Sequence, residues 1–257
     1  MSKLGSSIRA ALLASSLSML AVLPQSVQAS DVLETTQIPA GIKDSLLKIL
    51  PDNVPYTVQS SPMKGLYQIN VGMDVVFMSE DGSYMLNGAL IDVASRENLT
   101  ETARAALRLD TLAKVPEKGL ITYAGNSDGA LNGRKITVFT DVDCPYCKKL
   151  HAEVPELNKA GIEVRYMAFP RKGVASSTYE DMTSIWCAKD PAKALDSAMS
   201  ATGSAPAPKK CNHPIQDHMM FAQMFGVNGT PNIILDTGEM LPGYVPAKEL
   251  IKSMSVQ

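Results

Sequence analysis

The chain has 257 residues, 45% hydrophobic and 19% charged, a composition that can bury one or two cores and is not that of a disordered protein. Its net charge of -2 carries no basic excess. That excludes a general affinity for nucleic acid or for anionic membranes.

The first element in chain order is a leader. Lys3 and Arg9 precede an uncharged stretch at 10–23, Pro24 breaks it, and Val27-Gln28-Ala29 presents small residues to a signal peptidase. A charged start, an apolar middle and a small-residue end predict cleavage after Ala29 and export. The apolar run is shorter than the ~20 residues a membrane span needs. Export changes how the four cysteines read: in an oxidising compartment they are disulfide partners or redox catalysts rather than reduced bystanders.

Residues 30–92 predict a small N-terminal unit. A helix over 42–50 is stopped by Pro51, and strands follow at 66–71 and 74–78. Asp81-Gly82 is a hairpin signal, and 84–91 reads as the return strand. So small a unit has a small core, which dimerisation would help to stabilise. Residues 97–114 predict one helix with Leu99, Ala103, Ala106, Leu107 and Ala113 along one side, inside a linker spanning 93–118.

From Leu120 onward the order is strand, strand, helix, strand, helices, strand, strand, helix. A strand at 134–140 runs directly into a helix at 145–160, which ends at Gly161 and should kink at Pro155. A strand at 162–169, helices at 178–188, 191–201 and 214–225, a hairpin around Thr237-Gly238 and a helix at 247–254 complete residues 119–257. A βαβ unit, a helical insertion and a closing ββα is the thioredoxin order.

Cys144-Pro145-Tyr146-Cys147 sits at the strand–helix junction. Disulfide exchange needs a thiolate, and a helix N-terminus favours one through its unpaired N–H groups and dipole. Cys144 takes the N-cap position and Pro145 the first helical position, where its missing N–H costs nothing. Cys147 lies one turn further on, near enough to close a disulfide. Cys144 is therefore the expected exposed nucleophile and Cys147 the inner, resolving thiol. Zinc would need two further close ligands, and covalent haem attachment would need histidine where Lys148 stands. No cofactor and no metal are expected.

Cys187 and Cys211 have neither short spacing nor a helix-start context, and they read as a structural disulfide pinning the helical insertion. Closing a loop of that size is worth on the order of 3 kcal/mol in the loop-entropy picture. Thr230-Pro231 directly precedes a strand, and with a Cys-x-x-Cys helix upstream a cis bond is expected there. His151 reads as a solvated helix residue, and His213 and His218 have no visible partner in the sequence.

These stretches together resemble the DsbC/DsbG family of periplasmic disulfide isomerases. The resemblance rests on 136–141 leading into Cys144-Pro-Tyr-Cys147, on 161–171, on 185–190, and on Gly229-Thr-Pro231 and Leu241-Pro-Gly-Tyr244. It implies an α+β protein with a thioredoxin-like catalytic domain carrying a helical insertion, a helical linker and a small cystatin-like dimerisation domain. It further implies a V-shaped homodimer with an apolar cleft, a cis-proline loop at Thr230-Pro231 facing the active site, and a structural Cys187–Cys211 bond. The implied partners are mis-oxidised exported proteins and the membrane reductant DsbD, in the periplasm. Pro-Tyr between the cysteines, where DsbC proteins carry Gly-Tyr, is similar to DsbG and leaves open a reductase of sulfenylated cysteines with chaperone activity. A net dithiol oxidase, and a holdase in which the cysteines are incidental, are the other readings.

Overall fold

The computed structural model describes residues 32–200 and 202–256. The expected signal segment lies outside these residues.

Two sheets organise the chain. Helix α1 (Ala40–Ile49) packs on a four-stranded antiparallel meander of β1 (Tyr56–Ser60), β2 (Leu66–Val71), β3 (Asp74–Ser79) and β4 (Met85–Leu86). Ile42 and Leu46 on α1 meet Val58, Ile69 and Met78 from alternate strand positions, and this makes the core of the first sheet.

Strand β1 has no counterpart in the sequence reading. Only Val58 of Tyr-Thr-Val-Gln-Ser is fully buried, so its alternation is weak. The strand exists because it pairs along its whole length with β2, from Tyr56 opposite Val71 to Ser60 opposite Tyr67. The return strand expected over 84–91 is cut to two residues. The chain leaves the sheet after Leu86, and Ile91 returns only as a bridge to Asn98.

Helix α2 (Leu99–Leu112) starts at Asn98, whose side chain accepts the Glu101 N–H. Of the apolar side expected, Leu99, Ala103 and Leu107 are only half-buried. Thr100 and Arg108 are the buried residues, whereas Ala106 and Ala113 are exposed. Arg108 reaches across the molecule to donate to the Gly238 carbonyl at 2.8 Å and pairs with Glu101 at 2.7 Å. Apolar spacing misses this because the helix docks through a guanidinium and a hydroxyl rather than through its alanines.

The second sheet runs β5 (Ile121–Tyr123), β7 (Glu163–Ala168), β6 (Lys135–Thr140), β8 (Asn232–Leu235), β9 (Met240–Pro242) in spatial order. Only β6 and β7 are parallel, joined by helices α3 (Pro145–Ala152) and α4 (Val154–Lys159). Pro155 divides what would be one helix: α3 ends at Ala152 and α4 begins at Val154, with Glu153 between them. Gly161 follows at φ 100°, a left-handed turn that frees the chain to enter β7.

Helices α5 (Ser177–Trp186), α6 (Pro191–Met199) and α7 (Ile215–Met224) form the insertion, and α8 (Ala247–Ser255) closes the chain. One sheet face carries Val138, Val164, Tyr166 and Ile233 against Leu150, Leu157, Leu195 and Leu250. The other carries Phe139, Met167 and Ile234 against Ala222 of α7 and Phe225 at its C-cap. The central strands are buried on both faces, the reason 136–139 reads as continuous β-branched and apolar sequence.

Candidate active site

Strand β6 delivers the chain to the site, and Asp141 turns it. This buried carboxylate accepts the N–H of Asp143 at 2.7 Å, the N–H of Arg171 at 3.0 Å and Arg171 Nε at 2.9 Å. Its own carbonyl accepts the Cys144 N–H at 3.0 Å. Asp143 is held in turn by Lys172 and Thr178. These bonds place Cys144 at the N-cap of α3, with Pro145 as the first helical residue.

Cys144 and Cys147 are both unbonded thiols. The Cys144 S–H donates to the Thr230 carbonyl at 3.1 Å. The Thr230–Pro231 bond is cis, and β8 begins at the next residue. Chain positions 86 residues apart therefore meet at one sulfur.

The expectation of an exposed Cys144 needs correction. Its residue surface is only 2% exposed, against 1% for Cys147. The Thr230-Pro231 loop covers the sulfur, a contact no local pattern announces. The two thiols still differ in position, Cys144 at the N-cap and Cys147 inside the first turn of α3.

Electrostatics separate them further. Burial raises the Cys144 pKa, but Thr230, the N–H and thiol of Cys147 and the Tyr146 N–H together outweigh it, leaving Cys144 below the ordinary thiol value. For Cys147 burial dominates, and contributions from Thr140, the Asp141 backbone and Thr230 do not offset it. Its pKa is raised. Thr140 Oγ1 and Thr230 Oγ1 are buried without a hydrogen-bond partner among the described residues, so both can turn a donor toward a thiolate.

Cys187 and Cys211 are disulfide-bonded, with Cα atoms 5.7 Å apart. Cys187 is buried at the end of α5 and Cys211 is exposed, so the bond ties the loop after α6 to the insertion. Among the described residues no group of three or more His, Cys, Asp or Glu side chains could hold a metal ion.

His151 is not the solvated residue expected from the helix pattern. Its Nδ1 lies 3.1 Å from Tyr166 Oη and its Nε2 lies 3.0 Å from Asp196 Oδ1. Sequence reasoning assigned no role to Asp141, Arg171, Tyr166 and Asp196; the bond of Asp141 to the Asp143 N–H is local, whereas the others join separate elements. His218 also finds a partner: its Nδ1 accepts the Ala168 N–H at 3.1 Å, and burial pushes its pKa down to about 4.

Residues 129–255 match a thioredoxin-like domain family, and residues 25–101 match the disulfide bond isomerase protein N-terminal domain. The thiol:disulfide interchange protein DsbC of Salmonella typhimurium is 38% identical over 212 residues, which cover 82% of this chain and 84% of that protein. The chain belongs to the DsbC family. DsbC of Escherichia coli strain K12 is 35% identical over 234 residues, 90% of each chain. A solved disulfide interchange protein from Neisseria gonorrhoeae aligns with TM-score 0.47 and 26% identity, covering 54% of this chain and 97% of that one. As a DsbC-family member the chain is a thiol:disulfide interchange enzyme of α+β fold with a thioredoxin-like domain.

Proposed function

We propose that Cys144 and Cys147 are the redox-active pair of a periplasmic disulfide isomerase. The observation that carries this is their contrast within one helical turn: an N-cap thiol of lowered pKa beside a buried thiol of raised pKa. Cys144, as thiolate, attacks a wrong disulfide in an exported protein and forms a mixed disulfide with one client sulfur. The freed client thiolate attacks elsewhere in the client, or Cys147 attacks Cys144 and releases the client reduced. Thr230-Pro231 forms the wall against which an extended client segment pairs through main-chain groups, which suits an enzyme that accepts many sequences.

The domain plan is a leader at 1–29, a dimerisation unit at 30–92, a linker at 93–118 and a catalytic domain at 119–257. Two copies pair through the first sheet. Its outer strand β4 and the residue before it expose Tyr84, Met85 and Leu86 at 78, 57 and 49%, an apolar edge that a second copy would cover. The exchange consumes reducing equivalents whenever Cys147 resolves, so a membrane reductant of the DsbD type restores the dithiol. The Cys187–Cys211 bond is structural and stays closed through the cycle.

Reactivation of a scrambled multi-disulfide protein tests this reading. Cys144→Ser should abolish it, and Cys147→Ser should accumulate a mixed disulfide with the client. Equal activity in both variants and in the parent would refute it. Pro145 supports a second reading, reduction of sulfenylated cysteines. A parent that reduces a sulfenylated protein faster than it reactivates the scrambled one would favour that alternative.

A further inference from the structure

Cys144 is only 2% exposed, yet Pro145 and Tyr146 directly after it are both exposed, Tyr146 at 59%. A single exposed apolar side chain carries no information. This ring differs because it is fixed in place.

Tyr146 stacks on Tyr244, with ring centroids 6.3 Å apart and planes 25° apart. Tyr244 lies in the loop between β9 and α8, and its hydroxyl donates to Glu153 Oε1. Glu153 is itself anchored, its Oε2 accepting the Ala247 N–H at 2.7 Å. Lys149, one turn after Tyr146 on α3, sets its Nζ 4.5 Å from the centre of the Tyr244 ring.

The stacked pair spans the two sides of the thiol site. Tyr146 belongs to the first turn of α3, which begins at Cys144. Tyr244 follows Gly243, whose N–H donates to the Pro231 carbonyl at 2.9 Å. Pro231 follows Thr230, whose carbonyl takes the Cys144 S–H at 3.1 Å. The rings therefore join the helix that carries Cys144 to the loop that covers it.

We propose that Tyr146 and Tyr244 form a subsite for an apolar or aromatic client side chain within two residues of the attacked cysteine. The inference rests on Cys144 being the attacking thiol of the proposed isomerase. Once a client sulfur is bonded to Cys144, the residues flanking it are held beside these rings. The exposed face of Tyr146 is the surface they meet. Stacking has already ordered that ring, so little freedom is lost when a side chain lands on it. The chemistry suits the substrate. Cysteines that belong in a folded core are flanked by apolar residues, and a wrong disulfide leaves those flanks in water, whereas a native one buries them. The subsite favours wrong bonds by what surrounds the sulfur, and Lys149 beside it opposes a basic neighbour.

Short peptides with one cysteine, disulfide-linked to an aryl thiol whose thiolate absorbs visible light, test this. The Cys144 thiolate bonds the peptide sulfur, the peptide–aryl S–S bond breaks, and the aryl thiolate leaves with the electron pair. Trp, Leu, Gly, Lys and Glu are placed in turn at the two positions on either side of the cysteine. Each release rate is taken relative to that with glutathione, which removes the peptide's own reactivity. At one or more positions Trp and Leu should react roughly 3- to 10-fold faster than Gly, the scale of one aromatic contact, with Lys no faster than Gly. Tyr146→Ala should bring Trp and Leu down to the Gly rate. Tyr244→Ala should do the same by releasing the Tyr146 ring. Tyr244→Phe, which keeps the stack and loses only the bond to Glu153, should retain the preference.

Equal slowing of every peptide in Tyr146→Ala marks a merely structural role and would overturn the subsite, as would a preference that survives the substitution. Glu favoured over Trp would overturn it in favour of an acidic segment held by Lys149. Aryl release that persists in Cys144→Ser would instead remove the reading of Cys144 as the attacking thiol.

Discussion

At the scale of single residues, the site depends on how differently two neighbouring thiols are treated. In Cys147→Ser, iodoacetamide should alkylate Cys144 with a midpoint below the ordinary ~8.5, because N-terminal helix groups and Thr230 outweigh its burial. A midpoint at or above that value would contradict the N-cap argument. Asp141 makes a second case. Replacing it with alanine strands the N–H groups of Asp143 and Arg171 and frees the Arg171 side chain. Arg171 is partly exposed, so the loss should be roughly 1–3 kcal/mol rather than the cost of a fully buried pair. Urea denaturation measures it, and an unchanged midpoint would mean that the turn before Cys144 holds itself. The Cys-x-x-Cys pair was legible because its spacing and its place before a helix are local. Tyr166, Asp196 and the bond of Asp141 to Arg171 were not, because each joins residues far apart in the chain.

At the scale of elements, α3 and α2 illustrate opposite cases. The division of α3 from α4 follows from one residue: Pro155 cannot donate to the His151 carbonyl, and the chain breaks where that bond is missing. The seating of α2 follows from a partner on the other side of the molecule. Gly238 adopts φ 83° in the β8–β9 turn, and a Cβ there would lie 2.2 Å from the Ala105 carbonyl oxygen on α2. Gly238→Ala should therefore destabilise the protein by more than the ~1–2 kcal/mol of the left-handed backbone alone, since the helix must also move. Thermal unfolding tests this. A loss confined to the backbone term would show that α2 yields freely and does not brace the hairpin.

At the scale of the whole molecule, the first sheet ends in an apolar edge and the second positions the proposed redox pair. Met85→Lys with Leu86→Lys should convert a dimer to monomers in sedimentation velocity, because it places charges where two outer strands would meet. Isomerisation of protein clients should fall, while reduction of a small disulfide continues. A dimer that survives the double substitution would move the interface elsewhere.

The sequence by itself determined the α+β order, the strand–helix junction at Cys144 and the break at Pro155, because helix starts, proline and β-branched runs act over a few residues. Tertiary structure alone decided that β1 is a strand, that α2 docks through Arg108, that Thr230 covers Cys144 and that His151 lies between Tyr166 and Asp196. Each of those outcomes depends on groups distant in the chain whose hydrogen bonds or charges are completed only when the sheets assemble. Local periodicity carries no information about a partner that folding alone brings within hydrogen-bond distance.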